Sequence, residues 1–164
     1  MREIRKMKDR YLFKAKRLDN GEWVKGALVY DNMDKLYRII IELDYSTGTC
    51  IRAGKAPRVD ASTICQYTGL KDKNGKLIWE NDIVCHAYTK YQKENTDYPP
   101  FCRVKKRKNY VIKWDNTMVY LGFRYHNGRN IFPFKNGTVI NGDDEVIGNV
   151  FDNPELLESE EAGR

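Results

Sequence analysis

The 164-residue chain has no close cysteine pair, only two histidines and no long apolar run. Its four cysteines stand at 50, 65, 85 and 102. Zinc fingers and ribbons need two thiolates within one turn of each other, so this spacing excludes them. Cys85 and His86 are adjacent, and neighbours on a strand face opposite ways, which leaves them ill placed to share an ion. With His86 and His126 alone, and with neither a Gly-x-Ser-x-Gly elbow nor a His-Glu-x-x-His helix, the familiar hydrolytic constellations are missing. No stretch approaches the roughly 18 apolar residues of a membrane helix. The opening "MREIRKMKDRYLFKAKR" has no apolar segment of the kind a secretory signal carries. These absences point to a cytoplasmic protein with reduced thiols and no cofactor.

What the chain does contain suits a folded domain. Hydrophobic residues make up 41% and charged residues 32%, and eleven Tyr, six Phe and three Trp supply large apolar bodies with few rotamers to freeze. The net charge of +6 is uneven: residues 1–17 hold eight basic and two acidic residues, and residues 152–164 hold five acidic residues and one Arg. A basic head and an acidic tail are able to pair in an oligomer, or the head to meet nucleic acid.

Strand patterns dominate. In "RYLFKAKRLDNGEWVKGALVY", Asn20-Gly21 predicts a type I′ turn between strands near Tyr11–Leu18 and Trp23–Tyr30. "LYRIIIEL" is rich in β-branched residues. After a Gly- and Pro-containing stretch at 51–63, read as a connection, come "TICQYTGL", "KLIWENDIVCHAY", "NYVIKWDN", "VYLGFRYH", "GTVIN" and "EVIGNVF", short strands divided by turn residues. One short helix is expected at the end, with Asn153 as cap, Pro154 in first position and acidic residues in the first turn.

The Gly75-Lys76 pair invites comparison with a phosphate-binding loop. That loop needs four residues between its glycines and a hydroxyl after the lysine; here five residues follow Gly69, and Leu77 follows Lys76. Asn74-Gly75 reads instead as a hairpin tip. The carboxylates Glu80 and Asp82 fall at a second turn entering the next strand, and the "NGDDE" set Asp143, Asp144 and Glu145 reads as a solvated turn. The most basic run carries Arg103, Lys105, Lys106, Arg107, Lys108 and Lys113, interleaved with Tyr110 and Trp114. It reads as a solvated hairpin tip, or as a nucleic-acid contact in which cations displace phosphate counterions and rings stack on bases.

Three stretches carry a family resemblance: "QYTGLKDKNGKLIWENDIV", "VIKWDNTMVYLGFR" and "EVIGNVFDNPELL". In these the chain resembles the YopX family of phage and prophage proteins, with a looser likeness in the N-terminal hairpin. The resemblance implies an all-β protein of a bacterial host's cytoplasm and brings no catalytic residues with it. The expected organisation is a small N-terminal β region over 1–50, a connection over 51–63, an SH3-like, partly open barrel over 64–152, and a short helix and tail over 153–164. Two departures stand out. Asn81 occupies a position where the family usually has Gly, which suits a left-handed backbone. The stretch from His86 to Lys108 is long for a loop between two barrel strands. The expected function is a non-enzymatic binding or assembly module that self-associates, with nucleic-acid binding through the Arg103–Lys113 run as the alternative.

Overall fold

The computed structural model describes residues 11–44, 52–93, 101–117, 120–126, 131–133 and 144–158. The "GTVIN" strand expectation lies outside them. Among the described residues the chain is all-β with one short helix, and it forms two compact units, Met1–Gly69 and Leu70–Arg164.

The first unit holds β1 (Leu12–Lys16), β2 (Trp23–Asp31), β3 (Leu36–Ile40), β4 (Glu42–Asp44), β5 (Arg52–Lys55), β6 (Arg58–Val59), a 3-10 turn (Ala61–Thr63) and the start of β7 (Cys65–Lys71). Its main sheet runs β6-β3-β2-β1-β7, and β4 pairs with β5 separately. The stretch read as a connection thus supplies two strands and a turn. Asp60 accepts the Ser62 N–H (2.9 Å), and Thr63 Oγ1 accepts the Lys16 N–H (2.9 Å), which ties the turn to β1.

The β1–β2 hairpin pairs Lys16 with Trp23 across a longer loop than a two-residue type I′ turn. Arg17 N donates to Glu22 O (2.9 Å), and within the loop Gly21 has positive φ (+72°) whereas Asn20 does not. Asn20 instead uses Oδ1 to accept the Glu22 N–H (3.0 Å), so its side chain shapes the loop that its backbone was expected to shape. Ala15, Ile39 and Val59 form this unit's core, with Phe13, Val24, Leu28, Tyr37 and Ile64 packed around it. Gly26 permits the close approach of β2 and β3: a Cβ there would lie 2.1 Å from Ile40 O.

The second unit continues β7 into β8 (Leu77–Trp79), then β9 (Asp82–Lys93), β10 (Phe101–Thr117), β11 (Tyr120–His126), β12 (Ile131–Pro133), β13 (Glu145–Asn149) and helix α1 (Glu155–Glu158). The five-stranded sheet has the order β12-β11-β10-β9-β13. Among the described residues no pairing joins β12 to β13, so the sheet does not close into a barrel. Ile78, Val84, Ile112, Tyr125 and Val146 make the core, flanked by Leu70, Tyr110 and Phe123. Burying these side chains contributes about 1.5–3 kcal/mol each. The one-turn helix follows Pro154, and Asn109 of β10 donates Nδ2–H to Leu156 O (2.9 Å).

Candidate functional site

The basic run lies in a strand, and the long stretch after His86 is mostly strand as well. Strands β9 and β10 pair without interruption from Ile83↔Val111 to Lys93↔Phe101. Near the root the pair is flanked by β13, which reaches Cys85, and by β11, which reaches Val111. From the His86↔Lys108 rung outward, β9 and β10 pair only with each other among the described residues. Eight rungs span about 23 Å at 3.3 Å per residue.

This two-stranded ribbon, residues 86–93 and 101–108, contains seven Lys or Arg and no Asp or Glu. The cations are Lys90, Lys93, Arg103, Lys105, Lys106, Arg107 and Lys108. The register sets each against a neutral residue: Lys105 faces Thr89, Lys106 faces Tyr88, Arg107 faces Ala87 and Arg103 faces Tyr91. Like charges directly opposite each other destabilise a ladder, and this pairing avoids them. The sequence between the strands, 94–100, adds Glu94 and Asp97.

Tyr110 and Lys113 belong to the same strand but serve the unit's interior and its turns. The Tyr110 ring lies 5.2 Å from the Tyr125 ring and 6.1 Å from His86, with Lys108 Nζ 5.8 Å from its centroid. Lys113 Nζ donates to Asn81 Oδ1. Trp114 is 46% exposed and meets Phe123 edge-on at 4.8 Å.

A buried polar cluster sits at the ribbon's root. Asp144 is 0% exposed; its Oδ2 accepts the Tyr125 hydroxyl, and its Oδ1 lies 2.7 Å from His86 Nδ1. Burial, reinforced by the hydrogen bond to Asp144, pushes the Tyr125 hydroxyl well above the ordinary tyrosine range, so it stays a donor. Both Asp144 oxygens are thereby engaged within the protein, and His86 is fixed at the first rung of the ribbon. The sequence pattern places Asp144 in a solvated turn and assigns His86 no partner. Their meeting joins residues 58 apart, for which turn composition gives no signal. A second buried pair, Asp115 and Arg124 (3.2 Å), bridges β10 and β11. Among the described residues no group of three or more His, Cys, Asp or Glu is arranged to hold a metal ion. No helix among them is long and apolar enough to cross a membrane.

The YopX protein family profile matches residues 12–158, most of the chain. The chain belongs to the YopX family. Among solved structures it is similar to protein EF1440 from Enterococcus faecalis, with 27% identity over 88% of this chain and 96% of that one and a TM-score of 0.54. No curated protein matches it.

In this YopX chain the stretch "QYTGLKDKNGKLIWENDIV" forms a hairpin and a corner. Asn74 and Gly75 lie at the tip between β7 and β8, with Gly75 at φ +80°. Asp72 N donates to Lys76 O (2.9 Å) and Gly75 N to Asp72 O (3.0 Å), a three-residue loop ending in a left-handed glycine. Buried Asp72 accepts N–H groups from Asn74 (2.8 Å) and Lys76 (2.8 Å) on one oxygen and from Val146 (3.1 Å) on the other. At the corner between β8 and β9, Asn81 has φ +64°; its N–H donates to Ile112 O (2.7 Å) and its carbonyl accepts from Val150 N (3.0 Å). Asp82 Oδ2 accepts the Trp79 N–H (2.9 Å). In the terminal stretch, a Cβ on Gly148 would lie 2.6 Å from Asn153 Oδ1 and 2.9 Å from Leu156, so the chain folds back over a bare backbone.

Proposed function

We propose that this chain is a non-enzymatic binding module, phage- or prophage-derived and cytoplasmic, whose β9–β10 ribbon is the surface that meets its partner. The observation that carries this is charge placement. The ribbon strands hold +7 (Lys90, Lys93, Arg103, Lys105, Lys106, Arg107 and Lys108, with no carboxylate), whereas the whole chain holds +6, so everything outside them sums to −1. A field concentrated on an element that no third strand flanks among the described residues favours an anionic partner. The residues with the most enzyme-like chemistry, Asp144, His86 and Tyr125, are tied to one another, an arrangement that supports a framework role.

Affinity capture from a bacterial lysate, with the native chain and with Lys105, Lys106, Arg107 and Lys108 all replaced by Ala, tests the reading. Partners retained by the native chain should be lost from the variant. Equal capture by both would remove the ribbon from the interface. Self-association belongs to the same reading, supported by the uneven charge of head and tail. Light scattering across concentration should show an oligomer, and a strict monomer would sink that part.

A further inference from the structure

We infer that the partner of the β9–β10 ribbon is double-stranded DNA in its B form, with the ribbon lying in the major groove. This rests on the reading of the ribbon as the binding surface and adds the chemical class of what it binds. Three observations point the same way. The first is the form of the element. Two strands about 4.8 Å apart, with side chains to either side, match a groove about 12 Å wide, which admits a two-stranded β-ribbon. Among the described residues the ribbon pairs with no third strand, whereas single strands are held in grooves lined by stacking rings. The A-form major groove of duplex RNA is deep and too narrow to enter.

The second observation is charge. The ribbon strands hold seven Lys or Arg and no carboxylate, the chemistry that neutralises phosphates on both sides of a groove. They also hold Tyr88, Tyr91 and Phe101, so a single strand is the competitor that the test includes.

The third is the state of the acid on the strand beside the ribbon's root. Glu145 belongs to β13, beside the ribbon's root, and it is occupied by Lys73 Nζ (2.6 Å), with Asn74 Nδ2 at 3.5 Å. Arg107, which feels the Glu145 charge, is exposed. The carboxylate that would otherwise repel phosphates at the root is thus already partnered.

Fluorescence anisotropy of the purified chain with a 24-base-pair DNA duplex, the matching single strand and the matching RNA duplex tests the assignment. The DNA duplex should bind tightest, and its affinity should fall about 10³-fold between 50 and 200 mM salt if six or seven phosphates are neutralised. Replacing Lys105, Lys106, Arg107 and Lys108 with Ala should reduce the log–log salt slope by about one for each phosphate contact removed. Lys90→Gln with Lys93→Gln, on the facing strand, should lower the slope as well, and this pair serves as the second variant if the quadruple one does not fold. Equal or tighter binding of the single strand or of duplex RNA would overturn the inference. So would a DNA affinity that both variants leave unchanged. If no DNA binds at 50 mM salt while ribbon-dependent capture of a protein persists after nuclease treatment, the inference fails and the binding-module reading stands. If DNA binding and ribbon-dependent capture are both absent, both fail.

Discussion

Asn81 adopts φ +64° at the corner between β8 and β9, a region that costs most L residues about 1–2 kcal/mol and costs glycine nothing. Asparagine tolerates it better than most, and here the side chain has work of its own, because Oδ1 accepts the Lys113 ammonium. Asn81→Ala therefore loses the acceptor and keeps the strained backbone. It should destabilise the protein by about 1–2 kcal/mol in urea denaturation. Asn81→Gly loses the same acceptor but relieves the backbone, so its midpoint should lie close to that of the native chain. If Ala and Gly fall together, backbone conformation is not what selects the residue. This position was legible as a departure from the family's usual Gly. Its hydrogen bonds to Ile112 and Val150 were not, because they depend on strands that approach only after folding.

Among the elements, local patterns were readable and distant pairings were not. The hairpin of β7 and β8 followed from Asn74-Gly75, and the short helix from Asn153-Pro154 with acidic residues after it. The β1–β2 loop is longer than the Asn20-Gly21 pattern predicts, because Asn20 satisfies the loop through its side chain and not through a positive φ. The sequence pattern places the ribbon partly in a loop, since "HAYTKYQK" and "FCRVKKRK" lack the apolar alternation that marks a half-buried strand. Among the described residues no third strand pairs with the ribbon, and a two-stranded element has less core to impose that alternation. Asp72 shows the same limit in the other direction: its turn composition was visible, but its grip on Val146, 74 residues away, was hidden. Asp72→Ala should strand three N–H groups, one of them joining β13 to the hairpin. Since hydrogen bonds to charged groups contribute about 1.5–3 kcal/mol each at most, a loss of about 3 kcal/mol is expected. Asp72→Asn keeps one oxygen for the Asn74 and Lys76 N–H groups and should recover a good part of that loss. A thermal melt that ranks Asn no better than Ala would remove the turn-capping role.

For the molecule as a whole, acid should act through carboxylates in both units. In the first unit, Asp31 is held below the ordinary carboxylate range mainly by the Met33 N–H and then by Arg38, and Asp60 mainly by the Ser62 hydroxyl and N–H. In the second, Glu145 is held low by its hydrogen bond and charge attraction to Lys73. A folded pKa below the unfolded one means that the unfolded chain binds more protons as pH falls. The stabilisation is therefore present above the unfolded values, about 4 for Asp and Glu, and is lost as pH drops through the lower folded values. Protonation also leaves the cations of the ribbon unopposed, raising self-repulsion in a chain that already carries +6. Thermal midpoints should thus stay level with respect to these groups above about pH 5 and decline below pH 4. The triple variant Asp31→Asn, Asp60→Asn, Glu145→Gln should start lower at pH 7 and lose less between pH 5 and pH 2.5. A native-like acid slope in that variant would show that other groups govern acid unfolding.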